Sequence, residues 1–299
     1  MAVSAERRQV AMTTPDRTGV EMVSVAMRYI VLTALALLVF MPFILSFLGT
    51  FKTNREVTAY PPTFLPQEWH LENWIATWQV EIAGAGKNIF ARWLFNSLWL
   101  ALVNMGAQLF FCSLAAYAFA RMRFPGKDLI FSFMIASMAI PGAVTLIPGY
   151  VFYAKLNWIN TYLPLIIPSL VVPFGIFMLT QFFKSIPKEL EEAAYIDGAS
   201  HFRTYWSLAL PLARPALITL AILQFQSSWN DYLKPLLYLR DARLMTLTVG
   251  LGYFQTQFAV EWNKILVGSM FNAIPILIIF FIFNKYYMEG ASYSGLAGQ

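Results

Sequence analysis

Long apolar runs limit the folds that are open to this chain. The first run, residues 29–48, has the roughly 20 residues that a helix needs to cross a bilayer. It ends in Phe47-Leu48-Gly49-Thr50, which is a poor cleavage site, so the run predicts a retained span rather than a secretory signal. Charged residues make up 12% of the sequence, whereas a soluble domain usually has about 25%. These features predict an all-α integral membrane protein.

Five more apolar runs follow, which gives six predicted spans. They cover residues 93–120, 129–151, 162–183, 215–232 and 265–283. The fifth span is short, because only residues 215–230 form its charge-free core. Pro141-Gly142 and Pro148-Gly149 interrupt the third span. Such breaks survive in a membrane only where protein or a wet cavity satisfies the freed backbone groups, so they indicate either a transport path or a simple kink.

The spans divide the chain into four predicted segments. These are a cytoplasmic N-terminal segment at 1–28, the first transmembrane helix with an extracytoplasmic connection at 29–92, a five-helix core at 93–285 and a cytoplasmic tail at 286–299. Six spans place both termini on one side of the membrane. Lys and Arg favour the cytoplasmic side, and they number 12 on the side of the termini against 9 on the other. The short basic loop 121–127 gives the clearest indication that both termini are cytoplasmic.

The connection 185–215 is the most polar long stretch in the second half of the chain, and it predicts two short helices on the membrane surface. Ser185 is a predicted N-cap, with a proline in the first turn. Gly198 can adopt the left-handed conformation that stops a helix. Ser200 is predicted to cap the second helix and Pro211 to end it. A polar hairpin of this kind suggests a docking element.

Polar residues inside the spans are candidates for a substrate path. Asn104 and Gln108 lie four residues apart and therefore share one face of the second span. Gln224 and Ser228 lie in the last turn of the fifth span. We predict these four side chains as path residues. Hydrogen bonding between helices is the commoner use of such residues in membranes, and it stays open as the alternative.

The sequence has few groups suited to catalysis. Gly84-Ala85-Gly86-Lys87 resembles part of a phosphate loop, but that motif needs a Gly where Glu81 stands and a Ser or Thr where Asn88 stands. One cysteine, two distant histidines and scattered basic residues argue against a disulfide, a metal site and nucleic-acid binding. The spans hold almost no ionisable residue, which disfavours an intramembrane enzyme or a proton-coupled carrier. Uphill transport would therefore draw its energy from another subunit.

The hairpin carries a motif that resembles the EAA signature of binding-protein-dependent ABC importer permeases. The motif consists of Glu192-Ala193-Ala194, three residues, Gly198, nine residues, Leu208, one residue and Leu210-Pro211. Leu208 stands where the family usually has Ile. Stretches 140–148, 181–190 and 229–236 are similar to the carbohydrate branch, specifically the smaller maltose-type permease subunit. The resemblance covers residues 28–290, although the tail lacks the usual basic Gly-Ala-Val-Lys-Gly ending.

This resemblance implies a six-transmembrane-helix ABC type I importer permease fold (MetI-like) with a cytoplasmic coupling-helix hairpin. In the family, the hairpin sits in a cleft of a cytoplasmic ATPase. The residues that this docking implies here are Glu192, Ala193, Ala194, Gly198, Leu210 and Pro211. The small alanines would let a partner approach closely. Phe202, Tyr205 and Trp206 are predicted to give the second helix an aromatic face.

The resemblance also implies a function and partners. The chain would be the permease subunit of an ATP-driven importer of a carbohydrate in a bacterial or archaeal plasma membrane. Its partners would be a second homologous permease subunit, an ABC ATPase dimer that binds ATP and Mg, and an extracytoplasmic solute-binding protein, with no cofactor in this chain. Two alternatives stay open, namely the same machinery importing glycerol 3-phosphate or another polar solute, and a membrane scaffold or channel without an ATPase. The lack of basic residues in the spans slightly favours a neutral sugar over a phosphate.

Overall fold

The computed structural model describes residues 19–255 and 260–296. Parts of the predicted segments 1–28 and 286–299 lie outside these ranges. Every regular element within the described ranges is helical, apart from two isolated β-bridges. The predicted all-α fold is therefore confirmed.

The helices follow one another through short connections. In chain order they are α1 (Gly19–Gly49), α2 (Asn54–Val57), α3 (Glu72–Trp78), α4 (Ile89–Arg121), α5 (Lys127–Ser137), α6 (Gly142–Lys155), α7 (Leu163–Ile166), α8 (Pro173–Ser185), α9 (Lys188–Ile196), α10 (His201–Thr204), α11 (Leu210–Leu212), α12 (Arg214–Trp229), α13 (Leu233–Tyr238), α14 (Leu247–Gly250) and α15 (Trp262–Leu296). A 3₁₀ turn (Ile167–Ser169) follows α7, a π turn (Tyr205–Ala209) lies between α10 and α11, and a 3₁₀ turn (Leu251–Phe254) follows α14.

Within the described ranges, four helical stretches are long and apolar enough to cross a membrane on their own. They are Ser24–Gly49 in α1, Ile89–Arg121 as α4, Leu163–Ser185 through α7 and α8, and Trp262–Phe283 in α15. Two bent pairs complete six spans if each pair counts as one. One is α5 with α6, bent by 100°, and the other is the second half of the hairpin with α12, bent by 76°. α12 has only 16 residues, so the predicted shortness of the fifth span is confirmed.

The third span breaks at Pro141 and continues through Pro148. α5 ends at Ser137, and Pro141 stands at the N-cap of α6, where the helix needs no N–H donor from it. Pro148 lies inside α6. Of the two predicted interruptions, only the first redirects the chain.

α4 is the central helix of the described fold. It packs against α8 and against α12. One part of α4 lies in a buried cluster with Phe225 and Trp229, and the other part lies in a second buried cluster with Leu179 and Tyr205. α1, in contrast, is exposed along its apolar stretch, as expected of a helix that faces lipid or another subunit. α4 therefore connects the end of the molecule that carries the hairpin, which we call the hairpin end, to the opposite end.

The connection 50–88 folds onto the opposite end. It contains the two short helices α2 and α3. Asn73 on α3 donates a hydrogen bond to the carbonyl of Thr50 at 2.9 Å. The Trp74 ring packs on that of Phe271 in α15, with centroids 5.4 Å apart. These contacts hold the connection against the ends of α1 and α15.

Candidate functional site

The polar stretch 185–215 forms the predicted hairpin of two short helical halves. α9 ends just before Gly198, which takes a left-handed φ of +81°. The Gly198 N–H donates to the Tyr195 carbonyl at 3.0 Å, and the Ala199 N–H donates to the Ala194 carbonyl at 2.9 Å. This pair of bonds is a Schellman ending, which satisfies carbonyls that a helix end otherwise leaves free. The predicted stop at Gly198 is confirmed.

The start of each half of the hairpin is set by a different residue type. Ser200 caps α10 as predicted, because its Oγ accepts from the Arg203 N–H at 3.3 Å. The predicted N-cap at Ser185 is wrong. Ser185 is the last residue of α8, and its Oγ donates to the Phe182 carbonyl at 2.7 Å. Pro187 occupies the N-cap of α9, because the residue before a proline is held extended and cannot continue α8.

The second half of the hairpin continues through Pro211, contrary to the prediction that this residue ends it. The π turn Tyr205–Ala209 precedes the proline, and α11 runs on to Leu212. In a regular α-helix a proline ring clashes with the carbonyl four residues earlier, and a wider turn relieves this clash. The chain then bends at Ala213, between α11 and α12.

The first half of the hairpin leaves most of the motif accessible. Glu192, Ala193 and Gly198 are exposed, and Ala194 is half-buried. Glu192 makes no ion pair with any other residue that the structure describes. We call these four residues the docking face. A partner can approach it closely, because its side chains are small apart from one free carboxylate.

The second half of the hairpin exposes two aromatic side chains and buries a third. Phe202 and Trp206 are 67% and 54% exposed, and their rings stack with centroids 6.4 Å apart. The Tyr205 ring lies beside both of them, with centroids 6.2 and 6.3 Å away, so the three rings are grouped as predicted, but Tyr205 is 2% exposed and belongs to the core. Among the remaining predicted docking residues, Pro211 is exposed. Leu210 is half-buried and packs against the buried cluster that contains Leu179 and Tyr205.

An ion pair that the sequence did not predict anchors α9 to α4. Arg121 Nε lies 2.8 Å from Glu191 Oε1, and the two side chains are 6% and 7% exposed. The Nε–H is not directed at this oxygen, so the attraction is mainly one of charge. Arg121 Nη2 also donates to the Ile186 carbonyl at 2.6 Å, in the turn between α8 and α9. Arg121 therefore holds the hairpin at two points.

Three of the four predicted path residues lie together, and the fourth lies apart. Asn104 Nδ2 donates to Ser228 Oγ at 3.0 Å, and Asn104 Oδ1 lies 2.8 Å from Ser169 Oγ. Gln224 lines the same cleft. Gln108 is 2% exposed and packs against α8, and its Oε1 makes no hydrogen bond within the described ranges. Asn104 thus joins α4 to α12 and to the 3₁₀ turn before α8. This is hydrogen bonding between helices, which the sequence left open as the alternative to a role in the substrate path.

The cleft beside Asn104 is small and polar. Its volume is about 30 Å³, which is room for one or two waters and not for a sugar ring. Ser227, Asp231 and Lys234 complete its polar lining. Lys234 Nζ lies 3.7 Å from Asp231 Oδ2. Sequence reasoning missed Ser169 and Asp231 here, because both lie in connections at the ends of helices rather than on a periodic face.

At the opposite end, the loop 239–247 is bound to the first turns of α4. The Trp93 Nε1–H donates to the Ala242 carbonyl at 2.7 Å. The Ser97 Oγ accepts from the Leu247 N–H at 2.7 Å. Trp93 is fully buried, so these bonds attach the loop to the core, although Arg240 and Arg243 in the loop are exposed.

Asp241 in the same loop is held ionised by its neighbour. Hydrogen bonds from the side chain and the backbone of Arg243 lower the pKa of Asp241 from 3.8 to about 2. Because the pKa of Asp241 is lower in the folded protein than its usual value, the ionised carboxylate stabilises the fold. This contribution to stability is fully present above pH 3.8 and is lost as the pH falls through about 2.

Comparison with known proteins identifies the family. Residues 108–288 match the family described as the binding-protein-dependent transport system inner membrane component. The chain belongs to this family. The permease is 31% identical over 266 residues to the arabinooligosaccharides transport system permease protein AraQ of Halalkalibacterium halodurans, covering 88% of this chain and 93% of that relative. It is 35% identical over 215 residues to the trehalose/maltose transport system permease protein MalG of Thermococcus litoralis, covering 70% of this chain and 77% of the relative.

A solved structure shares the fold of this permease. A crystal structure of a bacterial ABC transporter involved in the import of the acidic polysaccharide alginate contains a chain that superposes with a TM-score of 0.77 at 21% identity. The superposition covers 92% of this permease and all of that chain. The predicted type I importer permease fold and the transport role are confirmed. The permease is a multi-pass membrane protein.

Proposed function

We propose that this permease subunit moves a carbohydrate that an extracytoplasmic solute-binding protein delivers, with energy from a cytoplasmic ABC ATPase dimer that binds ATP and Mg. A second homologous permease subunit would complete the membrane path. The sugar assignment is supported by relatives whose names refer to arabinooligosaccharides and to trehalose and maltose. The docking face is the observation that supports an ATPase as the source of energy.

The docking face supports an external ATPase for a physical reason. A helical hairpin that projects from a membrane bundle normally turns apolar side chains inward and charged ones outward. Here the exposed positions include Ala193, Gly198, Phe202 and Trp206, together with the unpaired Glu192 carboxylate. Exposed apolar groups interspersed with charged ones are typical of a protein-binding surface. Since Lys and Arg favour the cytoplasmic side, the hairpin and both termini would lie there.

The cleft beside Asn104 is the part of the proposed sugar path that this subunit contributes. Asn104, Gln224 and Ser228 present amide and hydroxyl groups, which match the donors and acceptors of a sugar. In the closed cleft Asn104 bonds to Ser228 and Ser169. If the cleft opened, sugar hydroxyls could replace these partners one for one. Gln108 lies outside the cleft, and we propose for it a later contact in the transport cycle, when α4 and α8 separate.

The sugar assignment is tested on the cognate binding protein. A neutral mono- or oligosaccharide at about 100 times its Kd should stabilise that protein by roughly 2.7 kcal/mol, which raises its melting temperature measurably. Glycerol 3-phosphate is the comparison ligand. A shift with glycerol 3-phosphate alone would replace the carbohydrate assignment by the phosphate alternative.

Gly198→Val is expected to weaken ATPase docking while the spans remain inserted. The φ of +81° strains an L-residue by roughly 1–2 kcal/mol, most of all a β-branched one. Crowding is not the cause, because no described atom beyond the two neighbouring residues lies within 4 Å of the added Cβ position. The measurement is the amount of ATPase that co-purifies with the permease from membranes, together with uptake.

Gly198→Asn is the matched control, because Asn adopts the left-handed conformation more readily than other L-residues. We expect the Asn variant to retain most ATPase binding. If the Val variant assembles and transports like the parent, the role given to this turn is wrong. If neither the parent nor the Asn variant retains an ATPase, the scaffold or channel alternative gains support.

A further inference from the structure

A row of polar side chains follows α12 along the cleft beside Asn104 and continues past the end of the helix. Its members are spaced three or four residues apart and all line the cleft; they are Gln224, Ser227, Asp231 and Lys234. The last two carry opposite charges and lie just beyond the end of α12 that is remote from the hairpin. Charged side chains next to a membrane span usually face water or a solute path rather than lipid. The pair is therefore placed where a solute can meet it.

The backbone at Asp231 is fixed to the rest of the fold, which gives its carboxylate a defined position. Thr248 Oγ1 in α14 donates to the Asp231 carbonyl at 2.9 Å. Asp231 Oδ1 accepts from the Lys234 N–H at 3.3 Å, in the first turn of α13. This oxygen has a structural role, because it satisfies a backbone donor that the start of a helix leaves free. That role accounts for one of the two carboxylate oxygens.

The other oxygen, Asp231 Oδ2, accepts no hydrogen bond from the part of the chain that the structure describes. Lys234 Nζ lies 3.7 Å from it, which is longer than a hydrogen bond. The Asp231 side chain is 23% exposed and that of Lys234 is 58% exposed, so the carboxylate is the more enclosed of the two groups. A strong acceptor and a strong donor thus stand side by side at the cleft without a hydrogen bond between their charged groups.

We propose that Asp231 and Lys234 bind two adjacent hydroxyl groups of a neutral sugar and exclude sugar acids. One hydroxyl donates to Asp231 Oδ2, and the next accepts from Lys234 Nζ. Both hydrogen bonds involve a charged partner and are therefore stronger than those between neutral groups. The gap of 3.7 Å is too wide for a direct bond and narrow enough for adjacent hydroxyls to bridge. This inference rests on the proposed import of a carbohydrate and specifies the class of carbohydrate.

The exclusion of sugar acids follows from the different burial of the two charges. A sugar carboxylate can pair with Lys234 only by coming close to the carboxylate of Asp231, and like charges at that distance repel. The long stem of Lys234 lets its ammonium group move out to water, whereas the Asp231 side chain is held at the cleft. Repulsion of the wrong ligand adds to the attraction of the right one.

A thiol placed in the cleft tests whether the Asp231 carboxylate selects by charge. Ser227, which is exposed, is replaced by cysteine in the assembled transporter, and the buried Cys112 is replaced by alanine. The rates of modification by a cationic and an anionic methanethiosulfonate are compared. We expect Asp231→Asn to reduce the preference for the cationic reagent by roughly tenfold, the effect of a unit charge about 6 Å from the thiol in water. Glu81→Gln is the control, because it removes an exposed carboxylate outside the cleft.

Protection of the same thiol tests the sugar specificity. The probes are the neutral disaccharides maltose, trehalose and arabinobiose, with galacturonate as the sugar acid and N-ethylmaleimide as an uncharged reagent. We expect at least one disaccharide to slow the modification and galacturonate to leave it unchanged. Asp231→Asn, which keeps the oxygen that accepts from the Lys234 N–H, should raise the disaccharide concentration for half-protection by roughly tenfold, the worth of a hydrogen bond to a charged group.

The two charged residues are expected to differ in their effect on galacturonate. Asp231→Asn removes the repelling charge, so galacturonate should now protect the thiol. Lys234→Met should weaken protection by the disaccharide to a similar extent, because the donor is lost, and should still exclude galacturonate. If both variants admit galacturonate, the exclusion does not come from Asp231 and the proposal is wrong.

The remaining outcomes separate this site from the proposed function. Protection of the parent by galacturonate, or by none of the three disaccharides, overturns the site. An Asp231→Asn variant that behaves like Glu81→Gln in both assays shows that Asp231 only holds the start of α13, and overturns it as well. These results leave the ATPase co-purification and the melting of the binding protein untouched, so the proposed function is judged independently. Stabilisation of the binding protein by glycerol 3-phosphate alone would overturn the carbohydrate function, and the sugar site with it.

Discussion

Gly250→Ala is expected to be among the most destabilising single-atom additions to this protein. An ideal Cβ on Gly250 would lie 2.2 Å from Cδ2 of the Trp93 ring, which is closer than real Cβ contacts allow. The ring cannot rotate away, because Trp93 is fully buried and its Nε1–H bonds to the Ala242 carbonyl. We expect a loss of about 1–3 kcal/mol in the free energy of unfolding, even though alanine alone favours a helix by about 1 kcal/mol.

Thermal unfolding of the purified permease in detergent measures this loss, and Gly252→Ala is its matched control. Gly252 lies two residues further on, in the 3₁₀ turn, and no described atom outside its own turn lies within 4 Å of its Cβ position. The control should be as stable as the parent or more stable by up to about 1 kcal/mol. A Gly250→Ala variant as stable as the parent would show that α14 can move away from α4, and that the loop 239–247 is less firmly held than its hydrogen bonds indicate.

The sequence predicted the elements of this fold well where composition alone decides the structure. An apolar run of about 20 residues has few alternatives to a membrane helix, so the predicted bounds of α4 agree with the structure to within four residues. α1 and α15 contain their predicted runs, but α1 begins 10 residues earlier and α15 ends 13 residues later than predicted. The stop at Gly198 and the cap at Ser200 were also predicted, because each depends on one residue and its immediate neighbours. Local chemistry determines these features.

Features that depend on rotation about a helix axis were not predictable from the sequence. Glu191 and Glu192 are neighbours of the same type, and a turn of about 100° decides which one faces α4. The structure buries Glu191 against Arg121 and exposes Glu192. Tyr205 keeps its predicted place beside the Phe202 ring, with centroids 6.2 Å apart, but it is buried because it also packs against the Tyr117 ring of α4.

Contacts between distant segments form the second group that the sequence did not reveal. Asn104 was singled out as a polar residue in a span, but its partner Ser169 lies 65 positions away, in a 3₁₀ turn with no periodic pattern. Arg121 gave a usable signal, because it follows the charge-free stretch 93–120 of α4 and a buried guanidinium requires an acceptor nearby. That signal predicts that an acidic partner exists and leaves its identity open among the glutamates of α9.

Arg121→Met is expected to lower the free energy of unfolding by about 3–5 kcal/mol. The substitution leaves the Glu191 carboxylate buried, with a side chain only 7% exposed and no opposite charge beside it. The Ile186 carbonyl also loses its donor. The measurement is the midpoint of unfolding of the purified permease. Arg123→Met is the control, because this exposed arginine makes no ion pair among the residues that the structure describes.

The double variant Arg121→Met with Glu191→Leu shows whether the stability loss of Arg121→Met comes from an uncompensated charge or from lost packing. Replacing both members of a buried pair by apolar side chains is often close to neutral, since neither charge then has to be desolvated. We therefore expect the double variant to regain most of the stability that the single variant loses. If it stays as unstable as Arg121→Met, the loss comes from the Ile186 contact and from the packing of α9 on α4. The Arg121–Glu191 pair would then specify the position of the hairpin without adding to the stability of the fold.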